Sequence, residues 1–199
     1  MADKVNAHKE KMANHPEGQT QAVFVDVIDL GNAVEQYQKQ EPRISEKCAI
    51  VWQSAEINPD TKKRFEPFKE YTVSMGKKAK LRAMLEDVRG KSYTEGEAEA
   101  GVPLERLVGV NVLMAIEHRV SAAGNTYANI KTITGLPKGT AKMEPLGYER
   151  AAFWADRKKE YASDVAIFRK KNRQFDDDLD ETQMSAQDGD LDDDSDLPF

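Results

Sequence analysis

The chain has 199 residues, of which 39% are hydrophobic and 32% charged, so it is long enough for one folded domain of ordinary size with terminal extensions. Its single cysteine, Cys48, excludes an intramolecular disulfide, and no run of about 18 apolar residues is present that could span a bilayer. The polar stretch 1–19 also lacks the apolar centre of a signal peptide. We therefore expect a cytoplasmic protein that is not bound to membranes.

Charge is divided unevenly along the sequence. Eleven of the 35 acidic residues lie in 176–199, which contains no Lys or Arg, and this leaves 24 acidic and 29 basic residues in the rest of the chain. The body is therefore positive although the whole chain has a net charge of −6. A positive body can attract phosphate groups. The acidic tail has too little apolar surface to offset the entropy of ordering, so we expect 176–199 to be disordered.

Three strands are predicted in the first half of the chain. They follow a polar segment, residues 1–19, which we expect to form a flexible N-terminal arm. The strands lie at 22–30, 44–57 and 65–75, where β-branched and aromatic residues cluster or alternate. The turn signal at 58–60, Asn-Pro-Asp, separates the second strand from the third and predicts a hairpin-like link between them.

The hydrophobic period then changes from that of a strand to that of a helix over 76–89. One apolar helical stripe consists of Leu81, Met84, Leu85 and Val88. Ser74 is predicted to cap the start of this helix and Gly90 to end it. Thr94 and Glu97 have the spacing of a capping box, which predicts a further short helical turn.

Two more strands are predicted at 110–117 and 126–134, and a C-terminal helix at 163–174. The intervening segment 140–155 is expected to be irregular and to pack on the strands. Three strands, a helical insert and a two-stranded hairpin are in the order of an OB-fold. The predicted fold is therefore mainly β with a helical insert, in the α+β class. It consists of a five-stranded OB-fold barrel over 20–175, with a helix between strands 3 and 4, followed by the C-terminal helix and the acidic tail.

Two kinds of side chain favour a nucleic-acid surface on this body. Lys and Arg bind phosphate, and aromatic rings stack on unpaired bases of any sequence, at roughly 1–3 kcal/mol for each base. The candidate cations are Lys62, Lys63, Arg64, Arg43, Lys69 and Lys131. The candidate aromatics are Tyr37, Trp52, Phe65, Phe68, Tyr71 and Tyr127. Further cations surround the start of the predicted helix, namely Lys77, Lys78, Lys80 and Arg82.

Each of these residues also has an ordinary structural explanation. A short run of cations is more often a solvated turn than a phosphate site. Large aromatics are usually mostly buried, and Trp52 lies on an apolar side of its strand, which favours the core. Tyr127 shares its face with Asn129 and Lys131, and we therefore rank it above Trp52 as a stacking residue. For Tyr71 the two interpretations have equal weight.

No arrangement typical of catalysis is present in the sequence. Glycine-rich nucleotide motifs are missing, the three histidines lack metal spacing, and no Ser/His/Asp or Cys/His set stands out. Asp188, Asp190 and Asp192 fit the first positions of a calcium-binding EF-hand loop. However, Asp193 replaces the required glycine and Phe199 the final glutamate. We expect a protein that is not an enzyme and that needs no cofactor or metal.

The acidic tail carries an apolar tip. The predicted partner-binding residues are Asp192, Asp193, Asp194, Asp196, Leu197, Pro198 and Phe199. Phe199 combines an aromatic ring with a terminal carboxylate, so a pocket with a basic rim can bind both. The same anionic run could also compete with DNA for the positive body.

This tail, which ends Asp-Leu-Pro-Phe, resembles that of bacterial single-stranded DNA-binding proteins, which typically ends Asp-Ile-Pro-Phe. Leu197 stands where that family has isoleucine. The stretches 69–75, 81–91 and 127–130 look like phage-encoded single-stranded DNA-binding proteins with an OB-fold. This second resemblance covers roughly residues 20–150.

The resemblance implies non-catalytic, largely sequence-independent binding and protection of single-stranded DNA during phage DNA replication and recombination. The protein would then act in the cytoplasm of an infected bacterium, and its tail would recruit DNA polymerase, helicase or recombination proteins. The resemblance does not assign individual DNA contacts. The oligomeric state also stays open, and a homo-oligomer is one of the alternatives.

Three other functions stay open at this point. The chain could be an acidic adaptor or DNA mimic that binds a nucleic-acid-processing protein, in which case the body has no affinity for oligonucleotides. It could be an annealing protein, which binds single strands and also accelerates their pairing. An enzyme would need a metal site that the sequence does not reveal.

Overall fold

The computed structural model describes residues 13–37 and 40–187, with side chains as far as residue 172. Its elements are β1 (Gly18–Glu35), β2 (Arg43–Ser54), β3 (Phe68–Thr72), α1 (Lys80–Arg89), α2 (Glu95–Glu99), β4 (Asn111–Val120), β5 (Thr126–Gly135) and α3 (Phe153–Gln187). A 3-10 turn, Leu104–Leu107, precedes β4. The mainly β, α+β class, the helices between the third and fourth strands and the C-terminal helix are therefore confirmed.

The five strands form one antiparallel sheet in the order β3-β2-β1-β4-β5. Strand β1 is central because it is long enough to pair twice: its first residues pair with β4, and the stretch from Ala22 to Glu35 pairs with β2. Register shifts interrupt the pairing with β2 between Phe24 and Asp26 and between Asp29 and Gly31. Such bulges bend a strand and increase its twist, so the bends in β1 curve the sheet.

The sheet is open, although the sequence predicts a closed barrel. Within 13–37 and 40–187 no ladder joins the edge strands β3 and β5, and α1 packs against both of them. The backbone shows why α1 fits so closely. A Cβ atom built on Gly135 of β5 would lie 2.7 Å from the carbonyl oxygen of Val88, so only glycine allows this approach. Helix α1 thus contacts both edge strands, which do not pair with each other in this part of the chain.

Both faces of the sheet carry apolar residues. The inner face packs against α1, whose predicted stripe is confirmed by the burial of Leu81, Met84 and Leu85. The inner core includes Phe24, Cys48, Ile50, Trp52, Tyr71, Val112, Met114, Ile116, Ile130 and Ile133. The outer face is covered by α3, and its core includes Val23, Val25, Ile28, Leu30, Ala49, Val51 and Trp154. A second layer thus lies over part of the outer face, and residues on both sides of β2 are buried.

The helices differ from their predicted bounds. Helix α1 begins after Ala79, and the Ser74 hydroxyl instead accepts a hydrogen bond from the amide of Gly76 at 3.2 Å. Gly90 ends α1 in the left-handed conformation, and Thr94 and Glu97 form the predicted capping box. In the described part of the chain, no helix is both long and apolar enough to cross a membrane.

Helix α3 is much longer than the predicted 163–174 helix. It begins at Phe153, because Trp154, Tyr161 and Val165 form an apolar stripe that packs on the outer face of the sheet. Its backbone continues to Gln187 and so includes the first half of the acidic segment, which we expected to be disordered. Residues 188–199, with the predicted partner-binding tip, lie outside the described residues.

The end of the predicted N-terminal arm is bound to the sheet. His15 is buried, with its Nε2 atom 2.8 Å from the Ser54 hydroxyl and its ring 4.9 Å from that of Phe65. The carbonyl of His15 accepts a hydrogen bond from Nε2 of His118 at 2.7 Å. The segment from 13 to 17 therefore holds the link between β2 and β3 close to the β4–β5 hairpin. Residues 1–12 lie outside the described part of the chain.

A charged network attaches the segment before α3 to the first bulge of β1. Arg150 donates two hydrogen bonds of 2.7 Å to the buried carboxylate of Asp26, and the Tyr148 hydroxyl donates a third, also of 2.7 Å. Burial by itself would raise the pKa of Asp26, but the bonds from Arg150 and Tyr148 outweigh it and lower that pKa below its ordinary value. The ionised carboxylate thus contributes to folding.

We expect Arg150→Met to lower the free energy of unfolding by about 1–2 kcal/mol at neutral pH, because Asp26 then loses two charged hydrogen bonds from a half-exposed partner. Since the pKa of Asp26 is lowered, its contribution is present above the unfolded value of about 3.9 and is lost as the pH falls through the folded value. Urea unfolding at neutral pH and at about pH 3 measures both effects. An equal deficit at the two pH values contradicts this assignment.

Candidate nucleic-acid interface

The edge strands β3 and β5 approach each other beside α1 and form a positively charged cleft. The Nζ atom of Lys69 on β3 lies 3.4 Å from the carbonyl oxygen of Ile130 on β5. A cleft of about 210 Å³ opens at this point, lined by Lys69, Lys80 and Lys131 and by Asp87 of α1. We call Lys69, Lys80, Lys131 and the neighbouring Arg119 the β3–β5 seam.

Lys69 is charged in an unfavourable setting. Burial lowers the pKa of its ammonium group, and the nearby cations Lys80 and Arg119 lower it further. Among the described residues neither Lys69 nor Lys80 forms a salt bridge, and Asp87 is the acidic residue that lines the cleft. Lys69 therefore carries positive charge without a salt-bridge partner among these residues at a partly desolvated position, where it attracts an anion more strongly than in open solvent.

The β4–β5 hairpin adds a polar face next to the seam. Glu117 accepts hydrogen bonds from Arg119 at 2.5 Å and from Asn129 at 3.1 Å, and its other oxygen lies 3.7 Å from the Nζ atom of Lys131. The bond from Arg119 is the main reason that the pKa of Glu117 is lowered. Tyr127 pairs across the hairpin with Arg119 and is 44% exposed. One carboxylate thus partly neutralises two cations, and the tyrosine ring stays accessible.

A second exposed feature lies on the other face of β3. The half-exposed rings of Phe68 and Phe153 have centroids 6.0 Å apart. The buried ring of Trp154 supports both, at 4.8 Å from Phe68 and 4.4 Å from Phe153. We call these three residues the aromatic patch. Its position follows from β3, which places Phe68 outward beside the start of α3.

Three predicted stacking residues are buried, so their assignment to the DNA surface is wrong. Trp52 is 0% exposed and packs on Phe24 at 5.2 Å between ring centroids. Tyr71 lies in the same inner core, where burial raises the pKa of its hydroxyl. Phe65 is buried against His15. No base can reach the face of these rings while the sheet is folded, so they stabilise the fold instead.

The remaining candidates lie at the far end of the β1–β2 pair or in the link between β2 and β3. Arg43 and Tyr37 are exposed, but they flank the far end of the β1–β2 pair, and Arg43 is seven residues along β2 from Ile50, the partner of Lys69. That separation is roughly 23 Å at the rise of a strand. In the link between β2 and β3, Lys62 and Lys63 are exposed, whereas Arg64 donates a 2.7 Å hydrogen bond to the carbonyl of Glu144.

Sequence reasoning thus placed Lys69, Lys131, Phe68 and Tyr127 correctly on exposed or cleft surface, but it did not identify their neighbours Arg119 and Phe153 as site residues. Arg119 could have been found, because it continues the alternation of β4 opposite Tyr127. Phe153 carried no such signal, because its position depends on where α3 packs. Within the described ranges, no group of three His, Cys, Asp or Glu side chains is arranged to hold a metal ion.

Comparison with known proteins gives no independent assignment. No protein-family model matches the sequence, and the search of curated proteins finds no significant match. The geometry of the seam and of the aromatic patch is therefore the basis for assigning a function.

Proposed function

We propose that the chain binds single-stranded DNA non-catalytically and largely without sequence preference, and that its acidic C-terminal segment recruits other replication or recombination proteins. One observation carries the proposal: the seam holds Lys69 and Lys80 without salt-bridge partners in the described part of the chain, and Lys69 is half-buried. Repulsion and burial both oppose charge on Lys69. A polyanion that enters the cleft relieves the repulsion and releases counterions.

The strand arrangement supports an OB-like interpretation of the fold. The five strands and the helical insert after the third follow the order that the resemblance implies. In this interpretation α1 closes the gap between β3 and β5 in place of direct strand pairing. The seam is then the edge of a partly open barrel, where a flexible strand can follow a charged groove.

The first part of the acidic segment, residues 176–187, is held away from the seam by α3. With a rise of about 1.5 Å per residue, Asp176 lies roughly 35 Å along the helix from Phe153, which contacts β3. At about 0.1 M salt the Debye length is ~10 Å, so repulsion between this segment and bound DNA is strongly screened. Removal of 176–199 should therefore tighten DNA binding only modestly, and only at low salt.

The test is a titration of the full chain and of a version that ends at Phe175 with labelled oligothymidylate at low and moderate salt. Both should bind, with affinity that falls steeply as salt rises. The truncated protein should bind roughly 2- to 5-fold more tightly at low salt and equally at moderate salt. It should also lose any tail-dependent recruitment of partner proteins.

Two results would change the conclusion. If neither protein binds the oligonucleotide in a salt-dependent way, the adaptor or DNA-mimic function replaces the proposed one. If truncation weakens binding, the acidic segment does not oppose DNA and the electrostatic part of the proposal is wrong.

A further inference from the structure

The aromatic patch exposes apolar surface that the fold does not cover. Phe68 is 47% and Phe153 48% exposed, and their rings lie side by side over Trp154, which is 4% exposed. Two neighbouring half-exposed rings on a buried support form a contiguous apolar surface, and extended surfaces of this kind mark binding sites. The T-shaped contact between Trp154 and Phe68, at an interplanar angle of 80°, fixes the orientation of the Phe68 ring.

Strand β3 joins this patch to the seam. Phe68 and Lys69 are consecutive residues, so their side chains point to opposite faces of β3, which pairs only with β2 in the described part of the chain. The next outward residue, Glu70, does not repel an anion strongly. Its carboxylate is bound by Arg157 at 3.2 Å and by the hydroxyl of Tyr161. A ligand that crosses the edge of β3 therefore meets cations on one side and rings on the other.

The cations of the seam and the rings of the aromatic patch together indicate the chemistry of the ligand. An apolar side chain of a partner protein would use the rings but not the unpaired cations of the seam. A nucleobase attached to a phosphate chain uses both, because its flat face stacks on an aromatic ring while its phosphates bind lysine. The neighbouring charge therefore favours a base of a single strand over an uncharged apolar segment of a partner protein.

We propose that Phe68 and Phe153 form a base-stacking platform, on which the strand places unpaired bases where it passes from the seam over the edge of β3. This rests on the proposed function and adds to it the residues that contact the bases. Phe153 is the first residue of α3, and Trp154 anchors that helix in the outer core. Stacking on the platform thus also holds the start of the helix that carries the acidic segment.

The experiment compares two oligonucleotides of equal length and charge, oligothymidylate and an abasic deoxyribose-phosphate chain, bound to the full-length protein. The variant Phe68→Leu/Phe153→Leu keeps apolar contact with Trp154 but removes both flat rings. We expect it to bind oligothymidylate roughly 5- to 150-fold more weakly than the wild type and the abasic chain equally well. The control Ile167→Ala removes an exposed apolar side chain about 20 Å along α3 from Phe153 and should change neither affinity.

Trp154 supplies a second readout that needs no variant, because its ring lies 4.4 Å from that of Phe153. Oligothymidylate should change its emission more than the abasic chain does. The platform is refuted if the double variant loses affinity for both oligonucleotides equally, or for neither. Those outcomes leave the proposed function intact, whereas a wild-type protein that binds neither oligonucleotide overturns the function itself.

Discussion

Replacement of Trp52 by alanine should destabilise the protein severely, by about 3–5 kcal/mol. Trp52 is fully buried in the inner core, and its loss leaves a cavity next to Phe24. Strand β2 pairs with β1 and β3 on its two sides, so its backbone cannot move to fill this cavity. Since small domains are stable by only about 5–15 kcal/mol, the variant should unfold at much lower urea concentration. Urea unfolding followed by circular dichroism measures the change.

Trp52→Phe should cost much less, because it keeps most of the buried volume and removes an indole nitrogen that has no hydrogen-bond partner in the described structure. The matched control is Tyr127→Ala, which truncates a half-exposed aromatic and should change the free energy of unfolding by less than about 0.5 kcal/mol. The folded fraction of Trp52→Ala should bind oligothymidylate as the wild type does. A large loss of affinity with unchanged stability would restore Trp52 as a stacking residue.

The burial of Trp52 shows which features of the fold can be predicted from the sequence. Local patterns predicted five strands, the apolar stripe of α1 and the capping box at Thr94, since each depends on neighbouring residues. In contrast, residues 48–54 of β2 are all buried, so alternation cannot separate a ring in the core from a ring on the surface. That burial arises because α3, more than 100 residues later, covers the outer face. The residue pattern of β2 alone therefore cannot predict its contact with α3.

The seam was only partly predictable for the same reason. Lys69 and Lys131 drew attention as cations on strands, but their association depends on the approach of β3 to β5, which are about 60 residues apart in sequence. The predicted barrel would have brought these strands together by pairing. Instead, Gly135 of β5 packs closely against α1, and a cleft lined by Lys69 and Lys131 lies between the two strands.

Loss of the seam lysines should produce a large change in DNA affinity. We expect Lys69→Met/Lys80→Met to weaken oligothymidylate binding roughly tenfold or more at low salt and to reduce the slope of log affinity against log salt by about 1 to 1.5. The control Lys170→Met/Lys171→Met removes the same charge from exposed positions on α3 and should have little effect. Fluorescence anisotropy across a salt series measures affinity and slope together.

Stability provides the decisive complement to this experiment. Burial and neighbouring cations lower the pKa of Lys69, so its charged form is less favourable in the folded chain than in the unfolded one. This penalty applies at neutral pH, where lysine is charged in both states, and methionine at the same position removes it. The seam variant should therefore be at least as stable as the wild type while it binds DNA more weakly.

If the variant instead loses stability and the control loses as much affinity, the lysines support the fold and the seam is not the DNA site. A variant that is stable but binds weakly means that the charge on Lys69 lowers the stability of the protein and serves to bind a polyanion.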